Sequence, residues 1–447
     1  MKNNSKLLRT FPDSYVPPVV ERGEGIYIYF KNGRKYLDMT GGFTAHAILG
    51  WSQPTVVDAI SVQAGKIAHI DYKSFSDENR DKLAELLLSR AQHNLNRVYF
   101  VGGSGGEACE AAMKLSYQAH YDSGKKGKNW FISREQSYHG SSTDALAVGD
   151  RPNLYFFNSL LPENRAKIPE HNIYRDKKDH ETLDDYARRS AKHLEEKILE
   201  IGPEKVCAFI GETIMGGLVG DVPPAPNYWS YIREVCDTYD VHLILDEVWC
   251  GTGTSGKIYC VDWDQITPDF IFMGKTLGAG FVPLSAVVTS SRIEEKIRQG
   301  QGQIQHSTTH QGHSLSVAAA LAVQQIIHND QFLNTVNMSG EYFREALISE
   351  LEDHPFYANV RGRGLRNSIE YHCEEQHLFG NALAQRMKDD HRILISGKWH
   401  RVCFSPALTI TKEQLDIVID AFVGTFKDIA SMWDKNYRSN VEIRPIF

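Results

Sequence analysis

The chain has 447 residues, 42% hydrophobic and 23% charged, with 35 glycines and 16 prolines. That profile excludes wholesale disorder and collagenous or coiled-coil architecture, and the length allows two large or three ordinary domains. Lys and Arg number 49 against 56 Asp and Glu, a net charge of -7 without a basic tract, so nucleic acid is not an expected partner.

The N-terminus, MKNNSKLLRTFPDSYVPPVV, is broken by Pro12, Pro17 and Pro18 before any apolar run develops. The longest apolar helical stretch, Leu315 to Ile327, is interrupted by Ser316, Gln324 and Gln325. Neither export nor a membrane span is expected. The seven cysteines (109, 207, 236, 250, 260, 373 and 403) contain no CxxC pair, which argues against a disulfide scaffold or zinc ribbon and for a reducing, cytoplasmic location.

Residues 25–39, GIYIYFKNGRKYLDM, read as strands around an Asn32-Gly33 hairpin signal. A lone hairpin must pack on something else, and the C-terminal unit is one solution. Short apolar or β-branched runs at Arg97 to Val101, Asn129 to Ser133, Val206 to Gly211, Val241 to Leu245, Phe270 to Met273 and Leu284 to Thr289 read as buried strands. Helical patterns lie between several of them, at Glu107 to Tyr121 and at Leu183, Ala187, Ala191, Leu194 and Ile198. Such alternation predicts an α/β unit with a mostly parallel sheet and helices on both faces. After Ile327 the character changes to a helix over Glu341 to Leu351, strands around Val360 to Tyr371, and a last helix opened by the capping box Thr411 to Gln414. The predicted division is 1–55 packing with the small unit, 56–330 as the large domain, and 331–447 as a smaller α+β domain.

Five constellations could carry chemistry. Ser104, Gly105 and Gly106 follow a strand and open a helix, where close backbone approach and free N–H groups suit an anion. A second glycine run, Gly251, Gly253 and Gly256, matches a dinucleotide fingerprint literally, yet the next strand begins too soon for a crossover helix, so a loop is expected. Asp246-Glu247 ends a strand at the edge where open α/β folds bind ligands. Lys275 follows the strand DFIFMG; by itself such a lysine is usually solvated. Histidines 139, 306, 310 and 313 lack the cysteine or acid pairing of a metal site, and no metal is expected.

Together these pieces resemble the class III (ω-amino acid type) aminotransferases of the fold-type I pyridoxal phosphate enzymes, from about Gly25 to the end. SGGEACEAAMK resembles the family's SGSEANEAALK, SYHG its YHG, DEVWCGTGTSGK its DEVxxGxGRTG, GKTLGAGFVPLSA its GKxLGGGxPLGA, and TTHQGHSLSVAAALA its TYQGHPLxxAAALA. The resemblance implies a seven-stranded, aspartate aminotransferase-like large domain and a small domain drawn from both termini. It also implies pyridoxal 5'-phosphate as cofactor and amino transfer from an amine or ω-amino acid to pyruvate or 2-oxoglutarate by a ping-pong cycle.

Residue by residue, the resemblance makes Lys275 the Schiff-base lysine and proton carrier, and Asp246 the partner of the pyridine nitrogen. Ser104, Gly105 and Gly106 would hold the phosphate, Thr309 would reach it from the other subunit of a homodimer, and Tyr138 and Val248 would flank the ring. His139 and Glu212 join the cofactor site, with Thr213 where the family has proline. Phe43, Trp249 and Arg401 are candidate substrate residues. Cys109 stands where the family often has asparagine, Trp249 where it has a glutamine that contacts the phenolic oxygen, and Cys403 where some relatives have a carboxylate-binding arginine. Rival readings are an aminomutase, racemase or decarboxylase on the same scaffold, a non-catalytic binding subunit, and a nicotinamide oxidoreductase resting on the second glycine run alone.

Overall fold

The computed structural model describes residues 6, 8 and 17–441; Pro12 and most of the segment read above as lacking an export signal lie outside them. Among the described residues the chain forms β1 (Val20–Glu24), β2 (Tyr27–Phe30), β3 (Lys35–Asp38), β4 (Arg97–Phe100), β5 (Trp130–Arg134), β6 (Arg165–Ile168), β7 (Val206–Glu212) and β8 (His242–Asp246). There follow β9 (Phe270–Met273), β10 (Ala286–Thr289), β11 (Tyr357–Arg363), β12 (Arg366–Tyr371), β13 (Ile393–Leu394), β14 (Ser396–Lys398) and β15 (Arg401–Phe404).

The central sheet has seven strands in the order β4-β10-β9-β8-β7-β5-β6. β10 runs antiparallel to both its neighbours, β4 and β9, while the remaining pairs are parallel. Six strands therefore end at one edge. β7 and β8 are buried at every position because helices cover both faces. Leu243 and Leu245 join one core with Leu194 and Ile232, whereas Ile244 joins the other with Ala108, Ala112 and Leu115. That two-residue alternation is the pleat itself, and each such side chain contributes about 1.5–3 kcal/mol on burial.

The hairpin of β2 and β3 turns through Gly33 at φ +77°, and β3 pairs in parallel with β13, Leu37 opposite Ile393. The N-terminal strands are thus completed by the C-terminal part of the chain. An antiparallel sheet, β11-β12-β15-β14, packs with the helices Asp330–Leu351, Gln376–His391 and Lys412–Ser431 to make the smaller α+β unit. The last helix carries the expected capping box, Thr411 with Gln414.

Two elements differ from expectation. β6 was not predicted, because Arg165 and Lys167 break its apolar pattern, and the helix over 330–351 begins at Asp330 rather than Glu341. The run Gly251, Gly253, Gly256 forms turns followed only by a short 3-10 turn, Cys260–Trp263, with no crossover α-helix before β9. A Cβ at Gly256 would collide with the Asn337 side chain, so this glycine serves packing against the helix Asp330–Leu351, while Gly251 lies against Glu247. Among the described residues no helix is long and apolar enough to cross a membrane, and no group of three or more His, Cys, Asp or Glu is placed to hold a metal ion.

Candidate active site

The C-terminal edge of the central sheet gathers residues from five loops. Ser104, Gly105 and Gly106 follow β4, Tyr138 and His139 follow β5, Glu212 ends β7, Asp246 ends β8 with Val248 and Trp249 after it, and Lys275 follows β9. This is where open α/β sheets present ligand sites.

Ser104 caps an 18-residue helix, Gly105–Asp122, through a full capping box with Glu107. Its Oγ accepts from Glu107 N at 3.3 Å and its carbonyl from Ala108 N at 3.2 Å. The N–H groups of Gly105 and Gly106 have no acceptor among the described residues, as expected of a first helical turn. Side chains there are excluded by contact. A Cβ on Gly105 would meet Val248 Cγ2 at 2.7 Å, and one on Gly140, at φ +147°, would meet Gly106 Cα at 2.6 Å.

Asp246 is buried, with Oδ1 accepting from Val248 N at 2.9 Å and Oδ2 lying 2.8 Å from His139 Nδ1. That bond puts the imidazole proton on Nδ1 and leaves Nε2 buried without a partner. Glu212 Oε1 accepts from Tyr138 N at 3.1 Å and Oε2 from Gly216 N at 2.9 Å, which ties two site loops together. Burial pushes its carboxyl up from the ordinary range, and the nearby charge of Asp246 adds to the rise.

Lys275 occupies a left-handed conformation, φ +34°, in a short 3-10 turn, a strained geometry of the kind kept at functional sites. Its side chain retains some surface toward the site, yet desolvation pushes the amine down to about 8. Asp246 and Glu212 oppose that fall while Arg366 and Lys398 add to it. Nζ stands 4.8 Å from the Trp249 ring centroid and 6.0 Å from that of Tyr138.

Trp249 has committed its indole N–H to Asp221 Oδ1 at 2.6 Å, and Ser368 Oγ donates to Asp221 Oδ2 at 2.7 Å. Arg366 stacks its guanidinium 5.0 Å from the same indole and donates to Ala45 O at 2.7 Å. Sequence reasoning missed Arg366, Asp221 and also His46, whose imidazole is lowered first by burial and further by Lys275 and Arg366. Only the glycines before it (Gly41, Gly42) hinted that the loop carrying His46 is special, and Gly42 lies close against the His46 ring.

The remaining sequence candidates lie on segments outside the strand ends of the central sheet. Phe43 lies 43% exposed in the turn Gly41–Ala45, at φ +63°. Thr309 is exposed on the protomer surface, its carbonyl 2.8 Å from His69 Nε2. Arg401 is fully buried and donates from Nη2 to Gly217 O at 2.9 Å, while Cys403 Sγ lies 3.2 Å from Ser368 Oγ.

Comparison with known proteins matches the family described as aminotransferase class-III over residues 11–426. An uncharacterized aminotransferase of Schizosaccharomyces pombe is 34% identical, the match spanning 92% of each chain. Diaminobutyrate–2-oxoglutarate transaminase of Halomonas elongata is 32% identical over 92% of this chain and 91% of its own. Among solved structures, the omega transaminase of Pseudomonas jessenii in complex with PMP superposes with a TM-score of 0.89 at 28% identity, covering 96% of this chain and 97% of that one.

Proposed function

The chain belongs to the class-III aminotransferases and is a pyridoxal phosphate-dependent transaminase, and on that premise we propose that it moves an amino group from an amine or ω-amino acid to pyruvate or 2-oxoglutarate through the residues gathered around Lys275. The observation that carries the site assignment is the convergence of Lys275, Asp246 and the N-terminus of the helix Gly105–Asp122 on one sheet edge.

The residues present fit the cofactor. Free N–H groups at Gly105 and Gly106 and the helix dipole suit a phosphate dianion. When bound, pyridoxal phosphate supplies an aldehyde that takes up the amino group and a ring that draws electrons from the substrate carbon. Asp246, held in place by His139 and by Val248 N, would pair with the ring nitrogen and hold a proton there. Tyr138 and Val248 would flank the ring. Lys275, whose amine is lowered to about 8 by burial, would hold the cofactor through its aldehyde and would be the group on this chain placed to carry a proton to and from the substrate α-carbon. Glu212 orients the Tyr138 loop, and Trp249, Phe43 and Arg401 shape the substrate side, Arg401 by holding the 217–220 turn.

The same reading makes Thr309 a phosphate contact donated to the partner subunit, hence a homodimer. It assigns cofactor binding to 56–330, with 1–55 and 331–447 as the covering unit. The test is amino transfer itself. Purified protein with pyridoxal phosphate, a panel of amines and either oxo acid should form alanine or glutamate and one keto product per amine consumed; isomerised or decarboxylated amine without an acceptor would replace this reading with a mutase, racemase or decarboxylase.

A further inference from the structure

A 2-oxo acid brings a carboxylate into an enclosed site, and an anion there needs a cation whose donors are not already used. Most cations around Lys275 are used. Arg366 is spent on Ala45 O and Trp249 O and Arg361 on Glu370, while Arg401 and Arg134 direct their terminal nitrogens to Gly217 O and the Glu212 carbonyl and keep only a buried Nε without an acceptor. Cys403 cannot replace an arginine, since its thiol carries no charge to offer and already faces Ser368.

Lys398 and Arg151 differ. Neither side chain makes a hydrogen bond or ion pair among the described residues, and Arg151 Nε is buried without an acceptor. Lys398 ends β14 directly opposite Arg401, with Ser396 opposite Cys403 and Cys403 opposite Ser368. Cross-strand partners share a sheet face, so Lys398 lies on the face covered by the 217–221 turn, whose Asp221 receives the Trp249 indole. Arg151 holds its guanidinium 5.3 Å from the Tyr138 ring centroid, the same ring that Lys275 Nζ approaches to 6.0 Å.

We propose that Lys398, supported by Arg151, binds the substrate carboxylate in place of the arginine that position 403 lacks. The assignment rests on the transaminase reading above. These cations share one field: burial lowers Lys398, the charges of Arg401 and Arg151 lower it further, and Lys398 in turn lowers Lys275. An arriving carboxylate relieves that repulsion, which favours anionic over neutral ligands.

Lys398→Gln, Lys398→Arg and Arg151→Gln decide the matter as holoenzymes, through KM and kcat for pyruvate and 2-oxoglutarate and through glutarate affinity read by tryptophan fluorescence. Lys398→Gln should raise the oxo-acid KM about tenfold or more with a much smaller change in kcat, and weaken glutarate to match. Lys398→Arg should recover most of both, and Arg151→Gln should show a smaller loss in the same direction. Values within twofold of wild type for both glutamine variants would overturn the clamp. If wild type forms no amino acid from either oxo acid, it is the transaminase reading that fails, and the glutarate titration still decides: equal affinity in Lys398→Gln removes the clamp, a tenfold loss upholds it as an anion site.

Discussion

At the scale of single residues, the site is a set of charges separated by burial. Asp246 is fixed in place by Val248 N and His139, whereas Glu247 beside it faces away, takes N–H groups of Cys260 and Val261, and is pushed up to about 8 by burial. Adjacent carboxylates thus have different work. Asp246→Asn should lower kcat about 10²–10³-fold while cofactor affinity changes far less, as single-turnover rates and a cofactor titration would show. Lys275 makes a pH prediction. Its amine is lowered to about 8, so the reactive neutral form builds up as pH rises through that value rather than through the about 10.4 of a solvated lysine. Acylation of Lys275 in cofactor-free protein, followed by peptide mass spectrometry, should have its midpoint near 8; a midpoint above 10 contradicts the desolvated setting.

At the scale of elements, the turns between strand and helix do the positioning. Gly105→Ala drives a methyl into Val248 and should cost about 1–3 kcal/mol and weaken cofactor binding together, measured by denaturant midpoint and cofactor titration. Much of this was legible in the sequence, because strand, glycine run, capping box and helix follow within about twenty residues and each is a local signal. The lysine after β9 and the acid ending β8 were legible as positions, and only motif order gave them roles. β6 was not legible: RAKI carries Arg165, paired with Asp144 at 2.6 Å, and Lys167, whose ammonium donates to Ser133 Oγ and Ala147 O and is pushed down to about 7 by burial. Its polar residues are satisfied by tertiary contacts that no window of sequence contains. Arg366, Lys398 and His46 were missed for the same reason. They meet Lys275 only because β3 pairs with β13 and the small unit closes over the sheet edge.

At the scale of the whole molecule, two consequences follow. Thr309 is exposed in one protomer, and the proposed role needs a second copy. Light scattering should give a dimer, and Thr309→Ala should weaken the cofactor about tenfold through loss of one charge-assisted hydrogen bond; a monomer with full cofactor affinity contradicts it. The other consequence concerns acid. His120 and His242 stack at 3.9 Å in the core, and burial pushes His120 down to about 4 and His242 well below its ordinary value. Both are neutral when folded, whereas the unfolded chain protonates them near 6.5. Their contribution is complete above that pH and is lost as pH falls from 6.5 towards 4, so the urea midpoint should drop between pH 7 and 5, and His242→Asn should shrink the drop.

The most direct measurement is the visible spectrum of the holoenzyme before and after borohydride, for wild type and Lys275→Ala, with mass mapping of the reduced protein. The account predicts a band that borohydride bleaches in wild type, cofactor fixed to Lys275, and no lysine-dependent band in Lys275→Ala. An equal band in the variant, or label on another lysine, would contradict it.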